Sequence, residues 1–153
     1  MPFKDYHYTE CGLDNVVIRN VNFLSEDHDG EQVVHIPAVG MLHKAIAQGR
    51  VNQPGTLTGP EIRFLRTEMG MTQSELAELV HRDTQSVGRW ERNETVLEPP
   101  IDILVRQLAA ERLELELEIT FTSLSQLAQP KAVQLQIKID WTADSDNPYA
   151  PAA

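Results

Sequence analysis

The sequence predicts an α+β fold, and three observations carry that reading. Between residues 58 and 113, apolar residues recur at helical spacing behind two helix-capping signals. Before that stretch, residues 1–36 alternate apolar and polar in short runs. After it, period-two alternation returns at Leu113 to Phe121 and again at Val133 to Trp141. The chain has 153 residues, enough for one ordinary domain or two small ones. The expected division is a small β-rich module with one helix at 1–50 and a helical domain at 57–113. A C-terminal extension at 114–143, compatible with a β-hairpin, and a disordered Pro/Ala-rich tail at 144–153 follow.

Composition narrows the class. Hydrophobic residues make up 41% and charged residues 24%, the profile of a folded protein. No apolar run reaches the length of about 18 residues that a membrane span needs, so no membrane partner is expected. The opening Met1 to His7 lacks the apolar stretch of a secretory signal. The single cysteine, Cys11, cannot form an internal disulfide or a multi-cysteine zinc site, which fits a reducing cytoplasm.

The elements follow in order. Asn15-Val16-Val17-Ile18-Arg19 and Gln32-Val33-Val34-His35-Ile36 read as strands, with a turn signal at Asp29-Gly30. Residues 38–48 read as a helix with Val39, Leu42, Ala45 and Ile46 on one face, closed by Gly49. Residues 50–57 read as a linker. Thr58-Gly59-Pro60-Glu61 is a capping box, with Pro60 tolerated in the first turn. Ile62, Leu65 and Met69 form its apolar stripe, and Gly70 stops that helix.

Thr72-Gln73-Ser74-Glu75 is a second capping box, followed by Leu76, Leu79 and Val80 on one face. After His81-Arg82, Asp83 caps a third helix that buries Val87 and Trp90. Pro99-Pro100 opens a fourth, with Ile101, Leu104, Val105 and Leu108 inward. The Leu113 to Phe121 stretch reads either as a strand or as a continuation of that helix, with a short helix around Ser123 to Gln129.

Two capped helices joined by a tight turn make a helix-turn-helix. On the second of them, Thr84, Gln85, Gly88, Arg89 and Arg92 recur on the face opposite Val87 and Trp90. Gln bonds adenine and Arg bonds guanine bidentately in the major groove, so this face suits base reading. Thr84, Gln85, Gly88 and Arg89 are the expected base-reading residues. Gly88 costs a helix about 1 kcal/mol relative to Ala, and the missing side chain would let the helix approach base edges. Thr72, Gln73, Arg82, Arg92 and Asn93 are the expected phosphate contacts, which set register without reading sequence.

The stretch Thr72-Gln73-Ser74-Glu75-Leu76-Ala77-Glu78-Leu79-Val80, then Thr84-Gln85-Ser86-Val87-Gly88-Arg89-Trp90-Glu91, resembles the XRE (Cro/CI-type repressor) family. Ala77, Leu79, Val87 and Trp90 match that family's packing positions. The resemblance implies a lambda-repressor-like helical domain that binds DNA. It implies that Gln73 touches phosphate and that Thr84, Gln85 and Arg89 read bases. His81 stands where the family has Gly; histidine tolerates left-handed backbone better than most residues. Tyr6-His7-Tyr8-Thr9-Glu10-Cys11-Gly12-Leu13-Asp14-Asn15-Val16 is similar to the front end of MqsA/YgiT-like antitoxin regulators, without the paired Cys-x-x-Cys ligands of the zinc-bound members.

The expected partners are a palindromic double-stranded operator, a second copy of the chain and, on the antitoxin reading, a toxin protein. One domain covers only a half-site, and two reading helices about 34 Å apart match a palindrome. The formal net charge of −10 opposes DNA binding unless the acids lie off the reading face. Many do so in sequence: Glu26, Asp27, Asp29, Glu31, Glu111, Glu114, Glu116, Glu118, Asp140, Asp144 and Asp146. Trp90 reads as core. Cys11 reads as a structural thiol, and His7, His28, His35 and His43 as ordinary histidines. Glu114, Glu116 and Glu118 read as a solvated face. No enzyme constellation, metal or cofactor is expected.

Overall fold

The structure, a computed structural model, describes residues 4–22, 24–26, 32–117, 120–130 and 134–152. The expected Asp29-Gly30 turn lies outside them, as do Asp27, His28, Glu31, Glu118 and Val133.

Strands β1 (Lys4–Tyr8) and β2 (Val16–Val21) pair antiparallel, with Tyr6 opposite Ile18 and Tyr8 opposite Val16. Successive strand residues point to opposite faces, so these four share one face. Tyr8, Val16 and Ile18 are buried on it. Short strands β3 (Leu24–Glu26) and β4 (Gln32–Val34) form a separate antiparallel pair. Helix α1 (Val39–Val51) follows.

Then come α2 (Gly59–Glu68), α3 (Gln73–Leu79), α4 (Thr84–Glu91), α5 (Pro99–Leu113) and α6 (Phe121–Leu127). The chain finishes with β5 (Ile137–Trp141) and β6 (Tyr149–Pro151). The α+β class stands.

β1 and β2 join the later strands β5 and β6 in one sheet. β5 runs parallel to β2, matching Val16 with Ile137 and Ile18 with Ile139, and β6 adds antiparallel to β5. The strand order is β1-β2-β5-β6. A parallel pair needs a crossover connection. Here the whole helical region lies within that crossover, so both ends of the chain build the module that carries it. Helix α1 packs on β5, β6 and α5 and ties the sheet to the helices.

Several expectations change. The tail is not free: Tyr149 is 3% exposed, packs tilted against Trp141 with ring centroids 5.3 Å apart, and donates its hydroxyl to the Pro37 carbonyl. Gly49 does not close α1, which continues through the buried Arg50 and Val51. Leu113 to Phe121 forms no strand over its described residues. Helix α5 ends where Glu114 turns left-handed, and residues 115–117 have no regular secondary structure, with Glu116 held against the end of α1. There the Gln48 side chain replaces a neighbouring strand, accepting from the Glu116 N–H at 2.7 Å and donating to the Glu116 carbonyl. Val39 is 42% exposed, Leu79 45% and Leu104 45%, so none of them is core. Helical spacing assigns a face, but the neighbouring element does not extend over the whole of it.

The expected linker is a locked junction. Arg106 is fully buried and donates to Asp102 Oδ1 at 2.6 Å, to the carbonyls of Val51 (2.9 Å), Gln53 (2.7 Å) and Gly55 (2.6 Å), and to that of Leu127 (3.2 Å). Asp102 Oδ2 accepts the Leu57 N–H at 2.7 Å. Arg50 donates to the carbonyls of Gln53, Gly55 and Thr56. Its Nε lies 2.8 Å from Glu61 Oε2, but the N–H does not point at that oxygen, so this is a charge contact rather than a hydrogen bond.

Glu61 also takes an N–H of Asn15, which donates in turn to the Leu135 carbonyl. Carbonyls buried in a bend need donors, and two arginines supply them. On the other side of the junction, His43 is hydrogen-bonded to the Tyr8 hydroxyl at 2.8 Å and to Glu68 Oε1 at 2.7 Å. Burial pushes the Cys11 thiol up, away from thiolate character.

Candidate nucleic-acid interface

The reading unit is built from local rules. Thr58 and Thr72 each accept the N–H of the Glu three residues on, and that Glu accepts the Thr N–H in return, so both capping boxes are complete. Asp83 accepts the Ser86 N–H at 2.7 Å and caps α4. That hydrogen bond holds the Asp83 carboxyl below its usual value. The cap is therefore intact at neutral pH and is lost as pH falls through the carboxylate range.

Helices α2, α3 and α4 all end in the same device. A left-handed residue, Gly70, His81 or Asn93 in turn, lets the next N–H reach back to a carbonyl of the last turn: Met71 to Arg66, Arg82 to Ala77 and Glu94 to Arg89. His81 has φ 57°, so the left-handed turn expected there is formed by a non-glycine residue. A non-glycine residue there costs about 1–2 kcal/mol. We expect His81→Gly to raise the thermal midpoint, and a lowered midpoint would show that the imidazole contributes more than the strain costs.

Helix α4 packs on α2 and α3. Val87 is 0% and Trp90 6% exposed, while Thr84, Gln85, Arg89 and Arg92 are exposed. The expected division of faces holds except at Gly88. That residue is buried, and a Cβ on it would lie 3.0 Å from Arg92 Nη1. The Arg92 guanidinium therefore lies over Gly88, held by Glu94 through Nε at 2.9 Å and Nη2 at 3.2 Å. The missing side chain makes room for Arg92 rather than leaving an open surface.

The other expected phosphate contacts are also engaged. The Gln73 amide donates to Glu91 Oε1 at 3.1 Å, and Glu91 is held bidentately by Arg66 at 2.6 and 3.0 Å. This places Gln73 and Arg92 together at the C-terminal end of α4. Asn93 lies there too, because its Oδ1 accepts the Gly59 N–H at 2.8 Å. The Thr72 hydroxyl oxygen accepts from Glu75. Arg82 precedes α4, paired at 3.2 Å with Glu98. Among the described residues no ion pair holds Arg89. Sequence reasoning missed Glu91, Glu94 and Glu98 as internal partners of the basic and amide groups. Only Arg92-x-Glu94 is close enough in sequence to have suggested it.

Residues 62–110 match the helix-turn-helix family. No curated protein and no solved structure is significantly similar to the chain. The matched segment takes in most of α2, then α3, the His81 turn, α4 and most of α5. Over those helices the chain is similar to helix-turn-helix domains of the XRE type, the kind with which transcriptional regulators bind DNA.

Proposed function

We propose that the protein is a sequence-specific DNA-binding regulator, a repressor that occludes a promoter as a two-fold dimer with α4 in the major groove. The exposed polar face of α4 is the observation that carries this reading, and above all Gln85 and Arg89, which no ion pair holds among the described residues. Thr84, Gln85 and Arg89 read bases, and each good bidentate contact discriminates by roughly 1–3 kcal/mol. Gly88 gives α4 its thin profile once Arg92 has turned to the DNA. Thr72, Gln73, Arg92 and Asn93 take backbone phosphates, with Arg82 on the flank.

The test is binding to the DNA upstream of its own gene across a salt series. Arg89→Ala should erase sequence preference. Arg92→Ala should weaken all sequences alike and flatten the salt slope by about 0.9. An equal loss on every sequence with Arg89→Ala would sink the base-reading role. Arg92 must leave Glu94 to reach phosphate, so Glu94→Gln should tighten binding to all sequences without changing preference. Unchanged affinity in Glu94→Gln would mean that Arg92 stays on Gly88 in the complex.

The net charge of −10 favours a second, compatible role, an antitoxin that binds a basic toxin protein. Co-purification with the product of a small basic neighbouring reading frame would support it. A chain that elutes alone from cells carrying both genes would count against it.

A further inference from the structure

A cavity of about 370 Å³ lies behind the reading helix, between the start of α2, the loop after α4 and the segment leading to β5. That volume falls within the range of small-molecule sites, which favour such junctions between substructures. Its wall is mostly apolar and includes Ile62 and Trp90. Val96 and Leu135 line it while 77% and 42% exposed, and large exposed hydrophobics are few among the described residues. Apolar side chains left in water around a concave apolar wall mark a binding surface.

The polar groups define the ligand. Among the described residues the single charged one of the lining is Arg50, and Glu61 at 2.8 Å neutralises it. An ionised ligand would find no free countercharge there, and its desolvation would go uncompensated. Arg50 Nε is itself buried against Glu61, so it adds no open donor to the cavity wall.

We propose that this cavity binds an uncharged, largely apolar organic molecule, and that its occupation changes DNA affinity. The coupling has a physical route. Trp90 anchors α4 in the core, and Asn93 both lines the cavity and holds the first amide of α2. A ligand against these two residues acts on the end of α4 and on its expected phosphate contact. The effector half of the proposal rests on α4 reading DNA, and the binding half does not.

The test uses the full chain and the neutral naphthalene ketone 6-propionyl-2-(dimethylamino)naphthalene, whose emission shifts to the blue in apolar surroundings. Saturable binding of one molecule per chain is expected. Val96→Asp and Leu135→Asp place a charge on exposed lining positions, so the fold should survive, as circular dichroism would check. Each should weaken the probe about tenfold. Non-saturable binding, or binding unchanged in both variants, overturns the site.

Saturating probe should shift affinity for the upstream DNA by about fivefold or more, and DNA should shift probe affinity by the same factor. An unchanged DNA affinity with the probe bound overturns the effector role. The probe titration contains no DNA, so a failure of base reading in Arg89→Ala stays distinguishable from a failure of the cavity.

Discussion

Replacing Arg106 with Met is expected to lower stability by about 3–5 kcal/mol, read as a fall in the urea midpoint at unchanged slope. The side chain is 0% exposed and its partner Asp102 is also 0% exposed. Methionine fills much of the volume, so the loss is electrostatic rather than steric. Asp102 would keep the Leu57 N–H but lose the cation against Oδ1. The carbonyls of Val51, Gln53, Gly55 and Leu127 would lose a donor together. A domain at the low end of ordinary stability, about 5 kcal/mol, would retain little margin. Burial pulls the Arg106 pKa down and the Asp102 charge opposes that pull, so the pair stands only as a pair. A loss below about 1 kcal/mol would match that of an exposed pair, and the locked junction would then be wrong.

Gly59→Ala should destabilise by about 1–3 kcal/mol or more, the opposite of the usual gain when Ala replaces a helical Gly. A Cβ at this position would stand 2.5 Å from the Trp90 carbonyl oxygen, 2.6 Å from that of Glu91 and 2.8 Å from Asn93 Oδ1. Two of those atoms belong to the backbone and cannot rotate away, so α2 and the end of α4 must separate. The same separation breaks the Gly59 N–H bond to Asn93 and displaces one expected phosphate contact. Thermal unfolding and DNA binding should therefore fall together. A stabilised variant would show that the two helices have room to part.

The local elements were legible because their physics is local. The Thr58 and Thr72 capping boxes, the Asp83 cap and the Pro99-Pro100 helix start satisfy orphan amides within one turn, so residue types at fixed offsets suffice. The outward face of α4 followed from helical spacing once Val87 and Trp90 were placed inward. Gly88 was misplaced because its cover, Arg92, is held by Glu94, and side-chain pairing of that kind is not written in periodicity. Nothing in the local pattern marks Arg50 or Arg106 for burial; they are buried because carbonyls of residues 51–56 have no strand or helix partner.

From the sequence alone came the helix-turn-helix, its caps and, Gly88 apart, the exposed face of α4, since contacts a few residues apart decide each of them. Only the tertiary structure decided that Val16 lies beside Ile137, that Tyr149 is core and that residues 50–57 are clamped rather than loose. The reason is that strand pairing and burial of a polar network are won across the whole chain. Closing so long a loop costs entropy that only the joint burial of α1, the sheet and α5 offsets, and no window of neighbouring residues records that balance.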